Sequence, residues 1–192
     1  MKTDTLARLF GSVTRVRLLR LFLFNPRSSV TAVDAAARTR GSAAEVRREI
    51  NELLKAKVLR RSGGVKVRFS LDSRYPYLSA LQNLLLTMPL QENTLHERFA
   101  RAGTVRLIVL AGALAGDTEG RLDLLIVGDR LKERALQGIV RALEADMGKE
   151  LRYASMNTQD FRYRLNVSDR LVRDVFDYPH RVAFNKLDIT LK

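Results

Sequence analysis

The stretch S-A-A-E-V-R-R-E-I-N-E-L-L-K, Ser42 to Lys55, decides how this chain is read. Ser42 with Glu45 three residues later is a capping-box pair, which predicts a helix running from Ser42 to about Lys57. At helical spacing Val46, Ile50 and Leu53 fall on one side, leaving Ala44, Arg47, Arg48, Asn51 and Lys55 on the other. That outer face is basic and begins with small residues. It suits a major groove, where small residues allow close approach and arginines pair with guanine edges or phosphate. A charge run can equally be a solvated helix face, so the neighbouring segments decide.

Upstream, Thr31 with Asp34 marks a short helix from Ala32 to about Arg38, and Gly41 permits a tight turn before Ser42. Farther back, Leu6, Leu9, Phe10, Val13, Val16, Leu19 and Leu23 recur at three- and four-residue steps among Arg8, Arg15, Arg17 and Arg20. This pattern predicts an amphipathic first helix, with a break point at Gly11-Ser12 and an end at Asn25-Pro26. Downstream, Val58 to Arg61 and Val65 to Leu71 read as strands joined by Ser62-Gly63-Gly64, a tight hairpin. Val65, Val67, Phe69 and Leu71 alternate with Lys66, Arg68 and Ser70, so one face is apolar and the other basic. Arg60, Arg61, Lys66 and Arg68 place four cations beside the capped helix, where a hairpin can straddle a phosphate backbone. Helix, short helix, tight turn and capped helix spell a helix-turn-helix. Tyr75-Pro76-Tyr77 then opens an apolar helix with Leu78, Leu81, Leu84, Leu85 and Met88, a stripe wide enough to expect packing on a second copy or on the next domain. Residues 89–94 read as the linker.

Composition agrees with a polyanionic partner. The 192 residues have room for two small domains and carry a net charge of +13. Residues 1–96 hold 17 Lys+Arg against 7 Asp+Glu, and residues 97–192 hold 17 against 14, so the excess sits in the first half. Arginine outnumbers lysine 26 to 8, which favours bidentate phosphate contacts. With no cysteine there is no disulfide frame or thiolate metal site, and His96 and His180 offer no ligand cluster. Met1-Lys2-Thr3-Asp4 lacks a signal-peptide layout, and the apolar run Leu18 to Phe24 is short and broken by Arg20, so a cytoplasmic protein without membrane contact is expected.

The second half reads as a short helix from Leu95 to Ala102, a strand from Thr104 to Leu110, a glycine-bearing turn, and a strand from Leu122 to Val127. A helix from about Arg130 to Met147 follows, with Leu131, Leu136, Ile139, Val140 and Leu143 inward, then a strand from about Glu150 to Met156. A helix started by Thr158 with Asp160 and Phe161, then Leu165 to Phe176 and Arg181 to Phe184, complete a small α/β sandwich.

Three stretches carry a resemblance: Gly11 to Pro26 (G-S-V-T-R-V-R-L-L-R-L-F-L-F-N-P), Glu45 to Leu59 (E-V-R-R-E-I-N-E-L-L-K-A-K-V-L) and Val65 to Asp72 (V-K-V-R-F-S-L-D). Together they resemble the winged helix-turn-helix of ArsR-type transcriptional regulators over about residues 3–88. The resemblance implies a dimeric, operator-binding repressor. Metal sensing is not implied, because the cysteines of metal-responsive members are missing.

The run L-A-G-A-L-A-G-D-T-E-G-R-L-D-L-L-I-V-G-D, Leu110 to Asp129, resembles the nucleotide-binding turn and second strand of minimal nucleotidyltransferases. Those enzymes place a Gly-Ser turn before two aspartates one residue apart, whose carboxylates share a strand face and hold the metal ions that clamp a triphosphate. Here Gly112 keeps the glycine, Ala113 replaces the serine, Arg121 stands at the first aspartate and Asp123 at the second. Of a third-strand carboxylate only Glu150 is nearby. A guanidinium repels the cation that position should bind, so the resemblance implies a catalytically inactive domain. Gly112 to Gly120 is either a plain loop or, with Ala113, Arg121 and Asp123, a remnant nucleotide or phosphate site; Arg121 favours phosphate, while Asp117 and Glu119 make the loop acidic.

The expected architecture is α+β: a winged helix-turn-helix over 1–88 and a degenerate nucleotidyltransferase-like α/β domain over 95–192. The expected function is transcriptional regulation by a homodimer on double-stranded DNA, through Ala44, Arg47, Arg48, Asn51, Lys55, Arg60, Arg61, Lys66 and Arg68. The second domain then serves dimerisation or sensing of a small-molecule or protein effector, with no cofactor. The alternatives are a magnesium-dependent nucleotidyltransferase and an antitoxin-like module carrying a DNA-binding domain.

Overall fold

Gly11 takes φ +75° and Ser12 an extended backbone, with the Ser12 hydroxyl accepting from Arg15 N at 3.1 Å. In this computed structural model, which describes residues 5–64, 66–86, 92–115 and 121–187, the first apolar stretch is therefore two helices, α1 (Thr5–Phe10) and α2 (Val13–Phe24). The fold is α+β. By Cα packing the chain divides into two compact units, Met1–Pro89 with Arg141–Glu150 and Leu90–Val140 with Leu151–Lys192. Residues 141–150, expected with the second domain, cluster with the first unit.

In the first unit α2 is followed by α3 (Ala32–Thr39) and α4 (Ala43–Lys55). Thr31 and Asp34 cap α3 with a complete capping box, the Thr31 hydroxyl receiving Asp34 N at 3.1 Å and the Asp34 carboxylate receiving Thr31 N at 3.2 Å. The Thr31 hydroxyl also donates to the Asp34 carboxylate at 2.8 Å, and this bond first, with that from Thr31 N, holds the Asp34 carboxyl below its usual range. At α4 Ser42 accepts from Glu45 N at 3.2 Å, and no return bond from Glu45 occurs among the described residues. Strands β1 (Leu59–Ser62) and β2 (Arg68–Leu71) pair antiparallel in the register Leu59↔Leu71 to Ser62↔Arg68, shorter than the sequence suggested; Val65 lies outside the described residues. Val30 adds a bridge to Phe69 through two backbone bonds of 2.9 and 2.8 Å. Helix α5 (Leu78–Leu86) follows, with Met88 outside the described residues.

Over the second half of α2 the expected polar face is missing, while Arg15 and Arg17 in its first half keep 33% and 24% of their side chains exposed. From Leu18 to Leu23 every residue is buried, against Val46, Ile50 and Leu53 of α4 together with Leu59, Leu71 and Leu85. A helix apolar on all sides sits inside its domain. Burying each such side chain is worth roughly 1.5–3 kcal/mol. Arg20, read as a surface cation, is only 2% exposed. Its guanidinium donates to Leu85 O and to Asp146 O, both at 3.0 Å. Arg17 grips the Asp146 carboxylate at 2.7 Å and donates to Thr39 O, and Asn25 donates to Gly148 O at 2.8 Å. These polar groups tie residues 141–150 into the first unit.

In the second unit, α6 (Glu92–Phe99) and a short 3-10 turn (Ala100–Ala102) precede β3 (Thr104–Leu110), and a second turn (Gly112–Leu114) leads towards β4 (Leu124–Asp129). Of the expected linker 89–94, residues 89–91 lie outside the described residues and 92–94 open α6. Helix α7 (Glu133–Met147), whose residues from Arg141 on cluster with the first unit, β5 (Tyr153–Met156), α8 (Thr158–Asn166), α9 (Arg170–Phe176) and β6 (Arg181–Asn185) follow. The sheet order is β5-β4-β3-β6, with β3 antiparallel to β4 and β6, and β4 parallel to β5. A parallel pair needs a long crossover, which α7 supplies. Helix α8 is capped by Asn157, whose side chain accepts from Asp160 N at 2.7 Å, rather than by Thr158. Residues Leu107, Val109, Leu125 and Val127 point into a core with Phe161, Val172 and Val175. Ile108, Leu110, Leu124 and Ile126 alternate with them and are equally buried, which explains the unbroken apolar runs of both strands. Among the described residues no helix is long and apolar enough to cross a membrane.

Candidate nucleic-acid interface

Helix α4 presents the face its spacing predicted. Val46, Ile50 and Leu53 are buried, and Ala44, Arg47, Arg48, Asn51 and Lys55 are exposed. The helix is oriented from beneath by Glu49, which is 2% exposed and accepts from Arg15 Nε at 2.7 Å. Sequence reading passed over Glu49 because the anchor, Arg15, lies 34 residues away. Arg48 reaches the same carboxylate at 3.4 Å while its side chain stays 69% exposed. Lys55 pairs with Glu52 at 2.8 Å and holds that carboxyl below its usual range, chiefly through the hydrogen bond.

The hairpin divides its cations between two faces. Partners across an antiparallel pair share a face, so Arg61 lies with Phe69, whereas Arg60 lies with Ser70 and Arg68 with Ser62. Arg61 therefore joins α4: an open concavity of about 290 Å3 is lined by Ala32, Arg47, Ile50, Asn51, Arg61, Val67 and Phe69. Arg60 donates to Ser70 Oγ at 3.0 Å, and Arg68 to the hydroxyl and carbonyl of Ser29. Lys66 is exposed in the connection. The nine expected contact residues thus form an inner group around the concavity (Arg47, Asn51, Arg61) and an outer group, of which Arg48 and Lys55 are braced by acids and Arg60 and Arg68 by serines, with Ala44 and Lys66 beside them. The side chains of the inner three make no hydrogen bond or ion pair among the described residues.

The Gly112 turn is packed against Asp123. Asp123 is fully buried, and both its carboxylate oxygens are occupied: Oδ1 accepts from Ala113 N at 2.9 Å and Arg152 Nη2 at 3.0 Å, Oδ2 from Arg152 N at 2.9 Å and Arg152 Nε at 3.1 Å. Gly112 has φ +47°, and a Cβ there would lie 2.6 Å from Leu122 O and against the Asp123 carboxylate. The glycine serves close packing. Gly112, Ala113 and Asp123 come together; Arg121 points to Asp174 at 3.7 Å, and Glu150 precedes β5 and clusters with the first unit. Residues 116–120, including Asp117 and Glu119, lie outside the described residues. No group of three His, Asp or Glu gathers as a metal site among the described residues. The chain matches no protein-family model, no curated protein and no solved structure.

Burial pushes the Asp123 carboxyl up, but the bonds from the Arg152 side chain and backbone and from Ala113 outweigh it, and the net shift is downward. A depressed native pKa contributes stability that is present above the unfolded carboxylate range and is lost as pH falls through the native value. Asp123→Asn is expected to cost about 2 kcal/mol at neutral pH, because it removes the charge facing Arg152. Urea melts should show the gap between wild type and variant narrowing under acid. A gap constant with pH contradicts this role.

Proposed function

We propose that this chain is a DNA-binding transcriptional regulator. The first unit acts as an ArsR-like winged helix-turn-helix, with α4 in the major groove and the β1–β2 hairpin as the wing. The observation that carries this reading is the convergence of Arg47 and Asn51 from α4 and Arg61 from β1 on one open concavity, without internal partners among the described residues. Arginine and asparagine are the side chains that read guanine and adenine edges bidentately. The outer group, Arg48, Lys55, Arg60, Lys66 and Arg68, meets phosphates and fixes register.

The regulator works as a cytoplasmic homodimer, since two-fold pairing places two α4 helices in successive grooves. Tyr77 and Leu84, 66% and 44% exposed at and on α5, supply apolar surface for a second copy. The second unit is a nucleotidyltransferase-like domain that does no transfer and serves dimerisation or effector sensing. Supporting this, the four bonds on Asp123 engage the carboxylate that metal-assisted chemistry would need. Gel shifts over genomic fragments, including the region upstream of the chain's own gene, test the reading. Retarded complexes that weaken steeply with salt are expected, each neutralised phosphate adding about 0.9 to the slope of log affinity against log salt. A chain that leaves every fragment unshifted at near-physiological ionic strength is not such a regulator.

A further inference from the structure

A second group of cations lies in the other unit. The backbone of the Ala100–Ala102 turn and the start of β3 abuts the connection from β4 to α7: Lys132 N donates to Ala102 O at 2.7 Å, and a Cβ on Gly103 would lie 2.6 Å from Arg130 O. Thr104 is the register partner of Asp129. This end of the sheet therefore gathers Arg101, Arg106, Arg130 and Lys132, all exposed except the half-buried Arg106. Two acids stand among them. Asp129 is engaged by Arg106 at 3.7 Å and by Thr158 N at 3.2 Å, and Glu133 accepts from Gln137 at 3.0 Å. Arg101, Arg130 and Lys132 make no side-chain ion pair among the described residues. Arg130 moreover holds a left-handed backbone, φ +54°, where asparagine or glycine is the usual occupant. A long cation is presented there at a conformational cost.

We propose that this end of the second unit's sheet is a phosphate-backbone contact surface for duplex DNA, additional to the α4 face; it rests on the reading that the chain grips DNA. The chemistry favours phosphate over other polyanions. A membrane or protein partner adds apolar contacts, and among the described residues of this unit the large apolar side chains that are exposed, Tyr163, Val167 and Tyr178, lie on or after α8 and α9 instead. Phosphates ask for charge alone, and Arg101, Arg130 and Lys132, exposed and in no side-chain ion pair among the described residues, supply it.

The test uses the full chain and a mixed-sequence fluorescent duplex, titrated at several salt concentrations. The variant Arg101→Ala/Arg130→Asn/Lys132→Ala keeps an asparagine at the left-handed position, and a thermal melt shows whether it folds; Lys132→Ala alone is the milder arm. The triple variant is expected to bind about tenfold more weakly with a salt slope lower by roughly 2–3, and the single variant to lose about 1 from the slope. Unchanged slopes, with the slope still lowered by Arg48→Ala/Lys55→Ala on α4, overturn this surface and leave the α4 reading standing. The reverse pattern supports this surface and sinks the α4 reading. Polyglutamate binding that falls in the triple variant while duplex binding holds assigns the patch to an acidic protein and overturns the proposal, and a wild type that binds no duplex overturns both.

Discussion

Gly148→Ala is expected to destabilise the first unit by about 4 kcal/mol, the sum of a left-handed backbone and an overpacked site. Gly148 has φ +73°, and a Cβ there would collide with the backbone of Arg20 and Leu21 inside α2. Backbone in the middle of a buried helix cannot move aside as a side-chain tip can. The Gly148 carbonyl also accepts from Asn25, so displacement would leave a half-buried amide short of a partner. Against a typical domain stability of roughly 5–15 kcal/mol, this loss is large. Gly138→Ala is the matched control, since nothing lies within 4 Å of a Cβ there. It should raise stability by roughly 0.8 kcal/mol through helix propensity alone. Chemical denaturation of both variants checks the pair, and equal midpoints would remove residues 141–150 from the first unit.

The second large effect concerns recognition. Arg47→Ala/Asn51→Ala is expected to weaken binding to a selected duplex by roughly 100-fold, at about 1–3 kcal/mol per lost base contact. Both residues are exposed on α4 and border the concavity, and neither supports the core, so folding should be untouched. Arg68→Ala is the informative contrast. It stands on the outer hairpin face, and its loss should weaken all sequences alike and lower the salt slope by about 1. Competition titrations with selected and scrambled duplexes separate the two behaviours. A double variant that keeps its preference for the selected duplex removes base reading from α4.

Much of the first unit was legible because its signals are local. The Thr31–Asp34 and Ser42–Glu45 pairs, Gly41 and the alternation before Leu71 each act within a few residues, and the helices and hairpin follow. What escaped depends on distant partners. Arg17 and Arg20 look like surface cations until Asp146, more than 120 residues away, is folded against them. Val30 becomes a bridge residue only because Phe69 arrives beside it. For the candidate site, 3.6-residue periodicity placed the outer face of α4, yet the split of Arg60 from Arg61 needed the register of the hairpin. Asp123 reads as the second aspartate of a nucleotidyltransferase-like motif, and its partner Arg152 carries no sequence signal tying it to Asp123.

The central proposition is that the outer face of α4 lies in a DNA groove, and the absence of cysteine from the chain makes it directly measurable. A single cysteine at Ala44 can be offered a duplex carrying a thiol tethered to a major-groove base edge, with Tyr77→Cys, also exposed, as the comparison. Disulfide capture is expected at position 44 and not at 77. Equal capture at both, or none at 44 under conditions where the duplex is bound, would contradict it.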